Sequence, residues 1–152
     1  MRTIEQEIKQ KKFPNIYLKS DINILFTAGW IQNNQTRMFK KYGLSQQQYN
    51  VLRILRGQHP DPVMLAQITE RMIDKMSNAT RLVDKLIKKD LATRQLNSKS
   101  RRQVDINITE KGLDLLKEID VEIQLQNPPI HYLNLTTEEL EILNLILDKI
   151  RN

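Results

Sequence analysis

The sequence predicts a mainly α-helical fold with one small β-hairpin. Three observations predict it. Apolar residues recur at helical spacing through most of the chain. One stretch, residues 103–108, alternates apolar with polar instead. Helix breakers are scarce, with 4 Gly and 5 Pro in 152 residues. At 39% hydrophobic and 28% charged, the chain has enough apolar side chains for one packed core, so residues 1–152 read as a single domain.

Each element has its own local reason. Ile4 and Ile8 lie one turn apart in a first helix over residues 3–12, which Phe13-Pro14 ends. Ser20 is an N-cap for a helix over 21–41, with Ile22, Leu25, Phe26, Trp30, Met38 and Phe39 as its apolar positions. Gly43 suits the position after its end. Ser45 and Gln48 match a capping box at the head of a third helix carrying Tyr49, Leu52 and Leu55. Asp61 as cap and Pro62 in the first turn start a fourth helix with Leu65, Ile68 and Met72.

Asp74 is placed as the cap of a fifth helix over 75–89. Its apolar face is Met76, Ala79, Val83, Leu86 and Ile87, and Asp90 sits at its end, where a left-handed residue is often needed. Val104, Ile106 and Ile108 form a half-buried strand, residues 91–96 its partner, and 97–102 the connecting tip. Thr109 caps a sixth helix to about 126, which Asn127-Pro128-Pro129 breaks. Thr136 and Glu139 box a last helix with Leu140, Leu143, Leu147 and Ile150.

The composition excludes several function classes. There is no cysteine, hence no disulfide, thiolate zinc site or cysteine nucleophile. His59 and His131 have no second ligand at metal spacing, so no metal site is expected. No phosphate-binding loop or nucleophile motif is present, so neither an enzyme nor a cofactor is expected. The first 20 residues carry charges and no apolar run, and no stretch approaches about 18 apolar residues, so the cytoplasm is the expected compartment and no membrane association is expected.

Charge is unevenly spread. Residues 40–103 hold 14 Lys/Arg against 5 Asp/Glu, whereas residues 104–152 hold 4 against 10. A basic centre of this kind suits a polyanionic partner. It coincides with the helix and hairpin of residues 76–108. Ser77, Arg81, Lys85 and Lys88 lie opposite the apolar face of the fifth helix, and Lys99, Arg101 and Arg102 lie at the hairpin tip. Two helices joined by a short turn and followed by a hairpin describe a winged helix-turn-helix. Cations on both helix and wing can grip duplex DNA at two points. Ser77, Asn78, Thr80 and Arg81 stand at the end of the helix that enters the major groove, where Arg can pair with guanine and Asn with adenine. Lys85 and Lys88 suit phosphates, and Lys99, Arg101 and Arg102 suit a narrow minor groove.

The same residues resemble the MarR family of bacterial transcription regulators over residues 20–150. The matching stretches are Leu44-Ser45-Gln46-Gln47-Gln48-Tyr49-Asn50-Val51-Leu52, Ile68-Thr69-Glu70-Arg71-Met72, Ala79-Thr80-Arg81-Leu82-Val83-Asp84-Lys85-Leu86 and Ile108-Thr109-Glu110-Lys111-Gly112. The sequence departs from the family pattern at Ser100, where Asp is frequent, at Asp90, where Gly is usual, and at Asp74, where an apolar residue is common.

The resemblance implies a DNA-binding part over 44–108 and a homodimer held by helices of 1–43 and 109–152. The apolar surplus of the terminal helices agrees with that. It also implies a regulator, expected to be a repressor, acting on a pseudo-palindromic operator in double-stranded DNA. A small aromatic or anionic effector is implied between the dimer helices and the winged part, with Tyr17, Trp30, Tyr49 and Tyr132 as its candidate lining. The alternative reading of the residues is a protein–protein adaptor that uses the winged fold without DNA.

Overall fold

A computed structural model describes residues 2–97, 104–125, 132 and 134–152. Its elements are α1 (Ile4–Glu7), α2 (Ile16–Lys41), α3 (Gln46–Arg56), β1 (Val63–Met64), α4 (Leu65–Arg71), α5 (Ala79–Ile87), β2 (Ala92–Leu96), β3 (Val104–Ile108), α6 (Glu110–Leu125) and α7 (Thr137–Arg151). The chain forms two compact units, Met1–Leu113 and Asp114–Asn152.

In the first unit α3 is central. It packs on α2, α4, α5 and β3, and its Val51, Leu52 and Leu55 are fully buried with Ile68, Met72, Val83, Leu86 and Ile106. Burying such side chains contributes about 1.5–3 kcal/mol each, and this shared core fixes where α5 can lie. The sheet is antiparallel in the order β1-β3-β2. In register, Ala92 faces Ile108 and Leu96 faces Val104 across the hairpin, while Val63 pairs with Ile106 on the other edge.

The caps at Ser45 and Thr136 are as expected. Ser45 Oγ accepts from Gln48 N at 3.2 Å and Gln48 Oε1 accepts from Ser45 N at 2.9 Å. Thr136 Oγ1 accepts from Glu139 N at 3.2 Å. Gly43 is left-handed, with φ 66°, and its peptide closes the end of α2: Leu44 N donates to Phe39 O and Gly43 N to Lys40 O. Asp90 does the same for α5 with φ 60°; Leu91 N donates to Leu86 O and Asp90 N to Ile87 O.

Other boundaries differ from expectation. α1 stops at Glu7 because Lys9 turns left-handed, so Phe13-Pro14 ends nothing. α2 starts four residues before Ser20: Asn15 Oδ1 accepts from Leu18 N at 2.9 Å, and Ser20 Oγ donates inside the helix to Ile16 O. Asp61 and Pro62 do not start α4. Val63 is drawn into the sheet against Ile106, and the helix begins at Leu65, with Met64 N held by Gln67 Oε1 at 2.9 Å. The sheet therefore has three strands rather than the two of a hairpin.

α5 begins at Ala79, not 75. Asp74 is not its cap, and Met76 lies outside its apolar face, 94% exposed. The hairpin tip from 98 to 103 and the break at 127–129 lie outside the described residues.

In the second unit, Thr137–Arg151 forms α7, which buries no residue. Ile142, Leu143, Leu145, Ile146 and Ile150 are exposed along it, and Ile16, Tyr17, Leu18 and Leu25 along α2 in the first. No helix among the described residues is long and apolar enough to cross a membrane.

Candidate nucleic-acid interface

α5 buries Ala79, Val83 and Leu86 and leaves Thr80, Arg81 and Lys85 exposed; Lys88, at its C-cap, is exposed too. The sequence-derived cationic face thus exists on the helix surface. Two of the residues expected in the first two turns of this helix stand before it. Ser77 lies in the preceding turn and Asn78 is the N-cap, its Oδ1 accepting from Arg81 N at 3.0 Å. An asparagine that pairs with adenine uses both its carbonyl and its amide, so such a contact by Asn78 would cost α5 its cap.

The turn itself is built by Asp74. Its Oδ1 accepts from Met76 N at 3.0 Å and its Oδ2 from Ser77 Oγ at 2.6 Å. The Ser77 hydroxyl, followed by the Met76 N–H, holds the Asp74 carboxyl below its ordinary pKa. Asn50 on α3 anchors the other side of the turn, its Oδ1 accepting from Ile73 N at 3.0 Å. The entry to α5 is therefore tied both to itself and to the core helix.

Asp74 and Asp84 were the carboxylates best placed in sequence to neutralise Arg81. Asp74 is engaged within its turn, and Asp84 pairs with Arg94 of β2 at 2.8 Å. The first turn of α5 carries no acidic residue. Its exposed N-terminal end therefore combines the positive end of the helix dipole with Arg81, an arrangement that favours anions.

Sequence reasoning did not single out Arg94 or Lys75. Arg94 joins the wing strand to α5, and its place opposite Ile106 in the ladder follows only from register. Lys75 lies in the turn, its Nζ donating to Glu70 O. A sequence signal for the turn exists in Asp74-x-x-Ser77, a pair that satisfies its own backbone. Lys99, Arg101 and Arg102 lie outside the described residues.

The four aromatic candidates are not gathered in one cavity of the first unit. Tyr49 stacks on Phe39 with ring centroids 4.2 Å apart and accepts from Arg53 Nη1 at 3.0 Å. Tyr17 is 79% exposed. Trp30 lines an open groove of about 370 Å³ with Arg2, Ile4, Glu7, Asn23, Phe26 and Thr27. Tyr132 belongs to the second unit. Among the described residues no cluster of His, Asp or Glu suits a metal ion.

Comparison with known proteins agrees with this geometry. The model of the MarR family matches residues 44–104, the span from the head of α3 to the start of β3. The chain is 33% identical over 97 residues to the HTH-type transcriptional repressor MdtR of Bacillus subtilis, covering 62% of this chain and 61% of that protein. It spans about three fifths of the length of such Bacillus subtilis relatives. These are named as transcriptional regulators, not enzymes.

Among solved structures, a MarR transcription factor from Planctomyces limnophilus is 28% identical, with a TM-score of 0.67 over 90% of this chain and 98% of that one. The organohalide-sensing regulator RdhR-CbdbA1625, solved with 2,4-dichlorophenol bound, shares the fold at 21% identity, with a TM-score of 0.79 over 94% of this chain and 87% of that one. Residues 44–104 thus match the MarR family model, and over nine tenths of the chain the fold is similar to that of a MarR transcription factor.

Proposed function

We propose that this protein is a transcription regulator that binds double-stranded DNA sequence-specifically as a homodimer in the cytoplasm, and that it acts as a repressor. The observation that carries the reading is the surface of α5. Arg81 and Lys85 are exposed at a helix whose other face is locked into the core, and the two carboxylates closest to Arg81 in sequence are engaged elsewhere. A dimer would place two such helices about 34 Å apart on a pseudo-palindrome. The exposed apolar positions of α2 and α7 support the dimer, since apolar surface of this extent marks an interface. The repressor reading draws on MdtR, which bears that name.

Arg81 would supply base contacts, with Ser77, Asn78 and Thr80 beside it. Lys85 and Lys88 would touch phosphates, and Lys99, Arg101 and Arg102 would enter the minor groove from the wing. A small effector that binds near Trp30 would alter the spacing of the two winged parts and so weaken DNA binding; the relative that binds 2,4-dichlorophenol supports that reading. Such an effector raises thermal stability and lowers DNA affinity together.

The test is selection from sheared genomic DNA by purified protein at about 150 mM salt, followed by sequencing. Enrichment of a short inverted repeat supports the reading. Binding to any duplex alike, weak and steeply salt-dependent, removes the sequence-specific part of it. A protein that binds no DNA but captures a protein partner independently of salt would be the adaptor instead.

A further inference from the structure

Met76 stands in an unusual place for a large apolar side chain. It is 94% exposed, the most exposed of the large hydrophobic residues among those described, and Ile73 in the same turn is 82% exposed. Neither belongs to the apolar surfaces of α2 or α7. Exposure of this degree leaves the thioether side chain almost wholly in water, where an apolar group is disfavoured.

The backbone beneath it is fixed. Asp74 Oδ1 takes the Met76 N–H at 3.0 Å, Asp74 Oδ2 takes the Ser77 hydroxyl at 2.6 Å, and Asn50 takes the Ile73 N–H at 3.0 Å. The turn is thus built to hold Met76 outward, two residues before the Asn78 cap of α5.

The surroundings say what the side chain meets. Lys75 precedes it, and Arg81 and Lys85 follow on the exposed face of α5. An apolar tip flanked in the chain by Lys75 and Arg81, with the Asp74 carboxylate taken up by the Met76 N–H and the Ser77 hydroxyl, fits a polyanion that also displays apolar groups. In the major groove of DNA that group is the 5-methyl of thymine, the one apolar landmark on a base edge there. Met is suited to it, being unbranched and polarizable.

We infer that Met76 is a specificity-determining residue that reads a thymine methyl in each operator half-site, beside the bases met by the N-terminal end of α5. The inference rests on the DNA-binding reading above and adds to it a contact that is apolar rather than cationic. It predicts sequence preference without salt dependence at this position, because no counterion is released by a methyl contact.

The test uses the full chain and a randomised duplex library, selected in parallel with wild type and with Met76→Ala. Wild type enriches a thymine at one position in each half-site that Met76→Ala does not. In the selected duplex, replacing that thymine by deoxyuridine removes only the methyl group. It should weaken wild type about three- to fivefold, the worth of one buried methyl, and leave Met76→Ala unchanged. Met76→Leu should keep most of the thymine preference, and a thermal melt of Met76→Ala should match wild type, since the side chain touches no core.

Identical motifs for the two proteins, or equal sensitivity to deoxyuridine, would overturn the role of Met76 while leaving DNA recognition standing. Loss of binding to every duplex by wild type itself would overturn both.

Discussion

Asp84 on α5 and Arg94 on β2 meet at 2.8 Å, so the helix proposed to read DNA and the first strand of the wing are joined by an ion pair. The side chains are 37% and 47% exposed, which screens the attraction. The pair positions more than it stabilises. A double-mutant cycle with Asp84→Asn and Arg94→Gln should give a coupling of about 0.2–1 kcal/mol by chemical denaturation. Arg94→Gln should also lower DNA affinity by more than that coupling, since Asp84 is then left beside Arg81 as an unmatched carboxylate. An affinity loss no larger than the stability loss would show that the pair has no bearing on recognition.

The proposed DNA-facing cations divide by what they would touch. Arg81→Ala should cost about 1–3 kcal/mol of binding to the selected operator and flatten preference at one base position. Lys85→Ala should weaken binding alike across sequences and reduce the salt slope by about 1. Arg102→Ala, at the tip expected of the wing from the sequence, should weaken binding without unfolding the protein. Titrations of each variant at several salt concentrations separate the three. Unchanged affinity of both Arg81→Ala and Arg102→Ala would remove these two residues from the interface.

The parts of this fold legible in the sequence are those settled by short-range chemistry. Ser45 with Gln48, Thr136 with Glu139, Gly43 and the alternation of 104–108 each act within a few residues, and each stands in the structure as expected. The errors came where a local signal competed with a distant one. Asp61-Pro62 has the chemistry of a helix start, but Val63 pairs with Ile106, forty-three positions on, and the helix begins only after that strand. Met76 has the period of the buried face of α5, yet Asp74 satisfies the Met76 N–H and Ser77 hydroxyl first and delays the helix to Asn78. In the candidate site, the exposed Arg81 and Lys85 follow from the helical period. Arg94 depends on strand register, which no local signal carries.

The Asp74 turn makes a prediction about acid. Hydrogen bonds from Ser77 and Met76 favour the charged carboxylate and outweigh desolvation, which acts the other way. The folded pKa therefore lies below the ordinary value of 3.8. A group depressed in this sense contributes its stabilisation in full above the unfolded pKa and loses it as pH falls through the folded one. The turn should stay formed at pH values where free aspartate is already half protonated. Carboxyl-carbon NMR shifts of Asp74 should titrate below the ordinary midpoint, and Ser77→Ala should move the midpoint upward. A midpoint at or above the ordinary value would mean that the two hydrogen bonds do not persist in solution.

Gly112 explains a motif that sequence alone leaves as a pattern. Thr109 Oγ1 accepts from Gly112 N at 3.0 Å and itself donates to Asp90 O at 2.7 Å, while Thr109 N donates to Leu91 O at 3.2 Å. The end of α5 and the start of α6 are thereby brought close together. A Cβ on Gly112 would run into the Leu91 carbonyl oxygen and would lie 2.7 Å from Ile108 Cγ1. The carbonyl is backbone and cannot swing aside without disturbing the link from Asp90 to Leu91. Gly112→Ala should therefore destabilise by about 1–3 kcal/mol, although alanine is the better helix former at an open site. Gly29 provides the control, for a Cβ there meets nothing within 4 Å. Gly29→Ala should hold or gain about 0.5–1 kcal/mol. Equal effects of the two substitutions in chemical denaturation would show that the contact at Leu91 is not the reason for glycine at 112.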